Sequence, residues 1–211
     1  MTVAPSPQTH SRPARGWLAS TRISRLSRIS RLVESAAAGD QHSWDALVRE
    51  FGGMVWAVAR SYRVPDADAA DVVQATWLAL LEHITKLNDP ARVGPWLATT
   101  ARREALRTLR HRKRHVLYSE DVPGHESSTE ESSGQGLLIA ERDRALWEGF
   151  GRLRPSDRAL LRLLIADPRP AYEEISAALD IPIGSIGPTR ARASQRLRAE
   201  LDSDGALALM S

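Results

Sequence analysis

No cysteine occurs in the 211 residues. That excludes a disulfide framework and any thiolate metal site, and it suits a reducing compartment. No apolar run approaches the roughly 20 residues that a membrane-spanning helix needs, so no membrane span is expected. Residues 1–16 carry no apolar core segment, so no secretory signal is expected and the setting is taken as cytoplasmic. Phosphate-binding glycine loops and nucleophile motifs are missing too. The expectation is therefore a non-enzyme with no catalytic residue and no cofactor. Nothing alternates as a strand would, and no internal repeat of useful length appears. The expected fold class is all-α.

What is present is ordinary in amount and unusual in placement. Hydrophobic residues make up 42% and charged residues 26%, as in soluble globular proteins. The net charge is only +3. Residues 101–115 hold seven Lys/Arg against one acid, and residues 183–200 hold four Arg against one Glu. Between them, residues 116–136 hold five acids and no Lys/Arg. Two basic blocks around an acidic segment suit two phosphate-binding surfaces joined by something that avoids DNA. Solvated helix faces are the plain alternative for either block.

The pattern divides the chain into five parts. Residues 1–38 form a basic N-terminal extension. Its start is rich in Pro and Ser and is expected to lack fixed structure. Ile23, Leu26, Ile29 and Val33 then recur at helical spacing with Arg between them. Such a basic amphipathic helix suits a membrane surface, nucleic acid, or its own domain. Its composition also resembles an organelle transit peptide, which the rest of the chain opposes.

Residues 39–115 read as a first helical block. Asp40 is a plausible N-cap. Trp44, Leu47, Val48, Phe51, Val55 and Val58 make an amphipathic stripe, with Gly52 and Gly53 weakening its middle. Pro65 and Asp66 open a second helix, whose apolar stripe is Val73, Trp77, Leu80, Leu81, Ile84 and Leu87. Asn88-Asp89-Pro90 ends it. Pro95 suits the first position of a third helix, reaching about His111 or a little beyond. There Arg103, Arg107, Arg110 and Arg114 share one face.

Residues 116–136 are an acidic linker, and residues 202–211 a tail. Residues 137–201 read as a second helical block, so the chain is expected as two small bundles. Leu138, Ala145 and Leu153 mark its first helix, and Leu160 to Ile165 a buried one. Tyr172 to Leu179, a break at Asp180-Ile181-Pro182, and an Arg-rich helix after it give the layout of a helix-turn-helix. Ile175, Leu179, Ile183 and Ile186 are expected to join the two helices. Ser185 is the expected N-cap, which would let Pro188 sit in the first turn at no cost in hydrogen bonds. Thr189, Arg190 and Arg192 would supply donors to phosphates and base edges.

Two segments carry a family resemblance. Tyr172-Glu173-Glu174-Ile175, followed by residues 181–192, resembles region four of the extracytoplasmic-function (ECF) sigma factors of the sigma-70 family. Residues 68–77 resemble that family's core-binding helix, and residues 96–104 its promoter-melting region. The likeness spans about 39–114 and 137–200. It implies a subunit that binds core RNA polymerase and directs promoter-specific transcription initiation. Asp68, Asp71, Gln74 and Trp77 would then dock on the clamp helices of the largest polymerase subunit. Asn88, Arg92, Trp96, Arg103, Arg107 and Arg110 would read and melt the minus-10 element, with a flipped base held by the loop from Asn88 to Gly94. Ser185, Gly187, Pro188, Thr189, Arg190, Arg192 and Arg196 would read the minus-35 element. The second block would also meet the polymerase flap. The linker would thread the RNA-exit path, and an anti-sigma partner is implied.

Other readings are weaker. His111 and His115 stand four apart, like a helical metal pair, but a third ligand is absent and the neighbouring Arg would repel a cation. Asp66, Asp68 and Asp71 lack the Gly and Glu of a calcium loop. No metal is expected. A helix-turn-helix regulator acting without polymerase would leave residues 40–114 unexplained. A pure protein-interaction module would not need the Arg face.

Overall fold

The computed structural model describes residues 15–62, 64–116 and 144–203. The expectations for residues 1–14, for Leu138 and nearly all of the linker, and for the end of the chain fall outside them. Among the described residues every regular element is helical, as expected.

Helix α1 spans Arg15–Ala37, α2 spans Gln41–Ser61 and α3 spans Asp66–His83. Two 3-10 turns, Ile84–Lys86 and Pro90–Arg92, lead into α4 at Val93–Val116. The second block contributes α5 (144–152), α6 (Pro155–Ile165), α7 (Tyr172–Leu179) and α8 (Ile183–Ser203).

Local chemistry sets several boundaries. The Asp40 carboxylate accepts from the Ser43 N–H at 3.0 Å and caps α2. Hydrogen bonding from the Ser43 hydroxyl, and then from its N–H, holds the Asp40 carboxyl below the usual range. Its contribution is therefore present above the ordinary carboxylate pKa and fades as pH falls through the lowered value. Asp89 caps the second 3-10 turn through the Ala91 N–H at 3.1 Å. α4 thus begins at Val93, two residues before the expected start, and Pro95 is third in the helix. There its missing N–H still costs nothing.

The two blocks share one apolar core. Ile29 and Val33 of α1, Leu47, Phe51 and Val55 of α2, Leu80 of α3 and Leu97 of α4 are buried with Leu160 and Leu163 of α6, Ile175 of α7 and Ile186 of α8. Ala59, Val64, Ala69, Val72 and Ala105 form a smaller cluster between α2, α3 and α4. α7 packs on α4, and α6 packs on α2.

Four burial assignments need correction, one of them Ile165 of α6, which is 73% exposed while Leu160 and Leu163 are buried. Val48 is exposed, because α2 is turned so that Met54 and Ala57 join its buried face. Leu81 is 61% exposed, since the buried side of α3 runs through Ala69, Val72, Thr76 and Leu80. Ile183 is exposed while Ile175 and Ile186 are buried, so the latter two hold α7 against α8.

Gly53 has a packing role that its helix propensity hides. A Cβ there would stand 2.2 Å from the Asp167 carbonyl oxygen, so only glycine lets the loop after α6 lie on α2.

Candidate nucleic-acid interface

The first surface lies along α4. Leu97, Ala98, Ala101 and Ala105 face inward and are fully buried. Arg103, Arg107 and Arg110 lie on the opposite side and are exposed. Spacings of four and three keep all three within about 60° of the helix circumference. Among the described residues Arg107 meets the Glu104 carboxylate, at 3.5 Å. Arg110 donates to the Leu106 carbonyl of its own helix at 3.2 Å. The Arg114 side chain falls outside the described residues.

Not every Arg of this helix is available. Arg102 donates to Asp180 at 2.8 Å. Arg112 is ion-paired with Asp68 of α3. Asn88 and Arg92 are exposed at the head of α4, with Arg92 3.7 Å from Asp89. Trp96 is partly buried, with its ring centroid 6.2 Å from that of His83.

A second surface lies on α3. Asp71 and Gln74 are exposed there. Leu78 and Leu81 continue the same face, at 52% and 61% exposure. The spacings of three, four and three place all four within about 80° of one another. The sequence pattern missed Leu78 and misplaced Leu81, because hydrophobicity signals burial without saying against what. Single exposed leucines mean little, but two in line beside polar anchors make a contiguous patch. The other two docking residues sit apart from this patch. Asp68 points toward α4, and Trp77 packs edge-on against Trp44, with centroids 6.3 Å apart.

A third surface lies on α7 and α8. Asp180 ends α7 in the left-handed region, with φ 58°. Asp tolerates that conformation better than most residues, so the chain can turn sharply there. Ser176 hydroxyl donates to the Ile181 carbonyl at 2.7 Å and fastens the turn. α8 opens at Ile183, so Ser185 is inside the first turn and is not the N-cap; its hydroxyl donates to the Pro182 carbonyl at 2.7 Å. Pro188 is consequently interior to the helix. It removes the amide that the Gly184 carbonyl would have accepted from, correcting the expectation of no lost bond. Exposure of Gly184 and Pro188 leaves that carbonyl to water.

Along α8, Arg190 and Arg192 are exposed and two residues apart, so they project about 200° from each other. Arg192 donates to Thr189 Oγ1 at 3.2 Å, and Gly187 and Thr189 are partly buried. Arg196 is engaged internally: it donates to the buried Asp157 at 2.6 Å and ties α8 to α6. Among the described residues no group of three or more His, Asp or Glu is placed to hold a metal ion.

The two blocks meet through polar contacts as well as the core. Tyr62 hydroxyl donates to the Ala178 carbonyl at 2.7 Å, and burial pushes its phenol up. Arg162 donates to the Arg60 carbonyl at 2.6 Å. Arg25 of α1 donates to Glu50 of α2 at 3.0 Å and to Glu174 of α7 at 3.2 Å. Burial pushes the Glu174 carboxyl up, against the pull of Arg25 and of the Ala171 N–H. Glu50 is partly buried, which alone would raise it, but Arg28 and Arg25 together bring it below the usual range.

Comparison with known proteins points one way. Residues 47–115 match the family described as sigma-70 region 2. RNA polymerase sigma factor NccH of Alcaligenes xylosoxydans xylosoxydans is 26% identical over 175 residues, covering 82% of this chain and 94% of that one. The ECF RNA polymerase sigma-E factor of Escherichia coli strain K12 is 27% identical over 163 residues, covering 74% of this chain and 84% of that one. In fold, the chain is similar to CnrH, solved with the cytosolic domain of CnrY, at a TM-score of 0.56 and 23% identity over 84% of this chain and 99% of that one. It is also similar to RpoE, solved with the anti-sigma factor NepR from Bartonella quintana, at 0.55 and 24% over 76% and 98%.

Proposed function

We propose that the chain is a sigma factor of the ECF branch of the sigma-70 family and that its three surfaces divide the labour of promoter-specific initiation. Its general role is that of an RNA polymerase sigma factor directing transcription initiation. The observation that carries the finer reading is the exposed row Arg103, Arg107 and Arg110, which lies inside the segment matching region 2.

That row tracks the phosphates of the non-template strand at the minus-10 element. Asn88, Arg92 and Trp96 stand at the head of α4, where an unstacked base would be received. Flipping a base costs a few kcal/mol, and a cationic track beside the pocket offsets it. Asp71 and Gln74, extended by Leu78 and Leu81, dock on the clamp helices of the largest polymerase subunit. Acids at the rim suit a basic partner, and the two leucines give the contact an apolar centre. Asp68 and Trp77 support this face from behind. Pro188, Thr189, Arg190 and Arg192 at the start of α8 meet the minus-35 duplex, with Ser185 and Gly187 beside them, while Arg196 steadies the helix. The second block also meets the polymerase flap, and the linker follows the RNA-exit path. Catalysis belongs to the polymerase, and the chain works in the cytoplasm. An anti-sigma factor is the expected regulator, since one solved relative was captured with a partner named as an anti-sigma factor.

Two experiments test the assignment. Replacing Asp71 and Gln74 with alanine lowers affinity for purified core polymerase about tenfold or more, with far-UV circular dichroism unchanged; unchanged pull-down removes this face from the interface. Replacing Arg190 or Arg192 with alanine weakens binding to an upstream promoter duplex and lowers the log–log salt slope by roughly one unit for each lost phosphate contact. An unchanged slope takes that residue out of the contact.

A further inference from the structure

Glu174 is an acid that the promoter-reading scheme leaves without a task, yet its side chain is only 4% exposed. Its Oε2 accepts from the Ala171 N–H at 2.6 Å, a local cap at the start of α7. Its Oε1 reaches out of its own block. It accepts from Arg25 of α1 at 3.2 Å and lies against Gly94 in the first turn of α4. A Cβ on Gly94 would stand 2.4 Å from Oε1, and 2.9 Å from Phe51. Glycine at 94 is thus the notch into which the second block fits. Arg25 also binds Glu50 of α2, and its guanidinium lies 5.9 Å from the Phe51 ring centroid. One side chain of the N-terminal extension therefore touches both blocks at their seam.

We propose that α1 is an intramolecular latch: Arg25 ties Glu50 on α2 to Glu174 on α7 and holds the second helical block closed over the first turn of α4. The consequence rests on the promoter-reading assignment above. Elements at minus-10 and minus-35 lie about 25 base pairs apart, roughly 85 Å along B-DNA. In the closed form α4 and α8 both pack against α7, an eight-residue helix about 12 Å long. The two reading surfaces cannot reach both elements in that form. Breaking the latch removes one tie across the seam and shifts the balance toward separated blocks, against the pull of the shared core. Arg25 and Arg28 of this basic segment thus act on the chain's own carboxylates, and Arg25 is the one placed between carboxylates of both blocks.

The absence of native cysteine makes the test direct. Thr85→Cys and Ser194→Cys, both at exposed positions in different blocks, accept a donor–acceptor dye pair on the full chain. Energy transfer reports the distance between blocks without polymerase or DNA. The unaltered latch gives one high-transfer population. Arg25→Ala and Glu174→Gln each shift the closed-to-open ratio about tenfold toward open, allowing for the partial exposure of Arg25. Gly94→Ala opens the seam without removing a charge. Arg28→Ala is the control, because Arg28 binds Glu50 alone at 2.6 Å, and it leaves transfer unchanged. Far-UV circular dichroism identifies any variant that has unfolded. High transfer in folded Arg25→Ala and Gly94→Ala overturns the latch, as does low transfer in the parent. Either failure leaves the polymerase assignment standing, since neither measurement involves it.

Discussion

Replacing Arg103, Arg107 and Arg110 together with alanine should lower affinity for single-stranded minus-10 DNA by about two orders of magnitude. Three exposed, charge-assisted phosphate contacts at about 1 kcal/mol each, somewhat below the usual range for bonds to charged groups, give about 3 kcal/mol. The log–log salt slope should fall by roughly two units, at about 0.7 per neutralised phosphate on a single strand. Stability should barely change. The three side chains are exposed, and the bonds of Arg107 and Arg110 lie within α4. Arg102 and Arg112 provide the contrast. Each is ion-paired outside its own helix, Arg102 to Asp180 in the turn after α7 and Arg112 to Asp68 of α3. Their loss should disturb helix packing and leave the salt slope nearly intact. Fluorescence anisotropy across a salt series separates the two classes. A slope unchanged in the triple variant would remove α4 from the DNA track.

Phe51→Ala should lower stability by about 3–5 kcal/mol, the usual cost of emptying a buried aromatic site. For a chain of this size that corresponds to a fall in Tm of roughly 6–20 °C. Phe51 is 1% exposed and belongs to the cluster that includes Leu160 and Ile175 of the second block. The lost contacts therefore belong to both blocks at once. Urea unfolding followed by far-UV signal and by Trp fluorescence should give coincident transitions, both shifted. Two separated transitions, with only the first block shifted, would show that the blocks fold independently of a shared core.

Much of the fold is visible in the sequence where the determinants are local. Asp40 as a cap, the turn at Asp180 and the single Arg face of α4 follow from residue chemistry and spacing alone. What escapes is tertiary. Asp68 and Asp71 look alike in sequence, three positions apart on one helix. Only packing shows that Asp68 meets Arg112, 44 residues away, while Asp71 faces outward. Arg196 reads as one more basic residue of α8 until the buried Asp157 appears beside it. Pro188 would be free in a helix capped by Ser185, but the helix begins at Ile183, and three residues of shift make it a proline that costs a bond. Glu174 is legible as a cap at the start of α7. Its burial against Gly94 and Arg25 is not, because nothing local tells that α7 lies on α4.

The central claim is that this chain confers promoter choice on core RNA polymerase. Run-off transcription with purified core enzyme and a set of genomic promoter fragments tests it most directly. The account predicts transcripts of defined length from a subset of fragments, present only when the chain is added, and lost in the Arg103, Arg107 and Arg110 triple variant. The absence of any chain-dependent transcript across the set would contradict it.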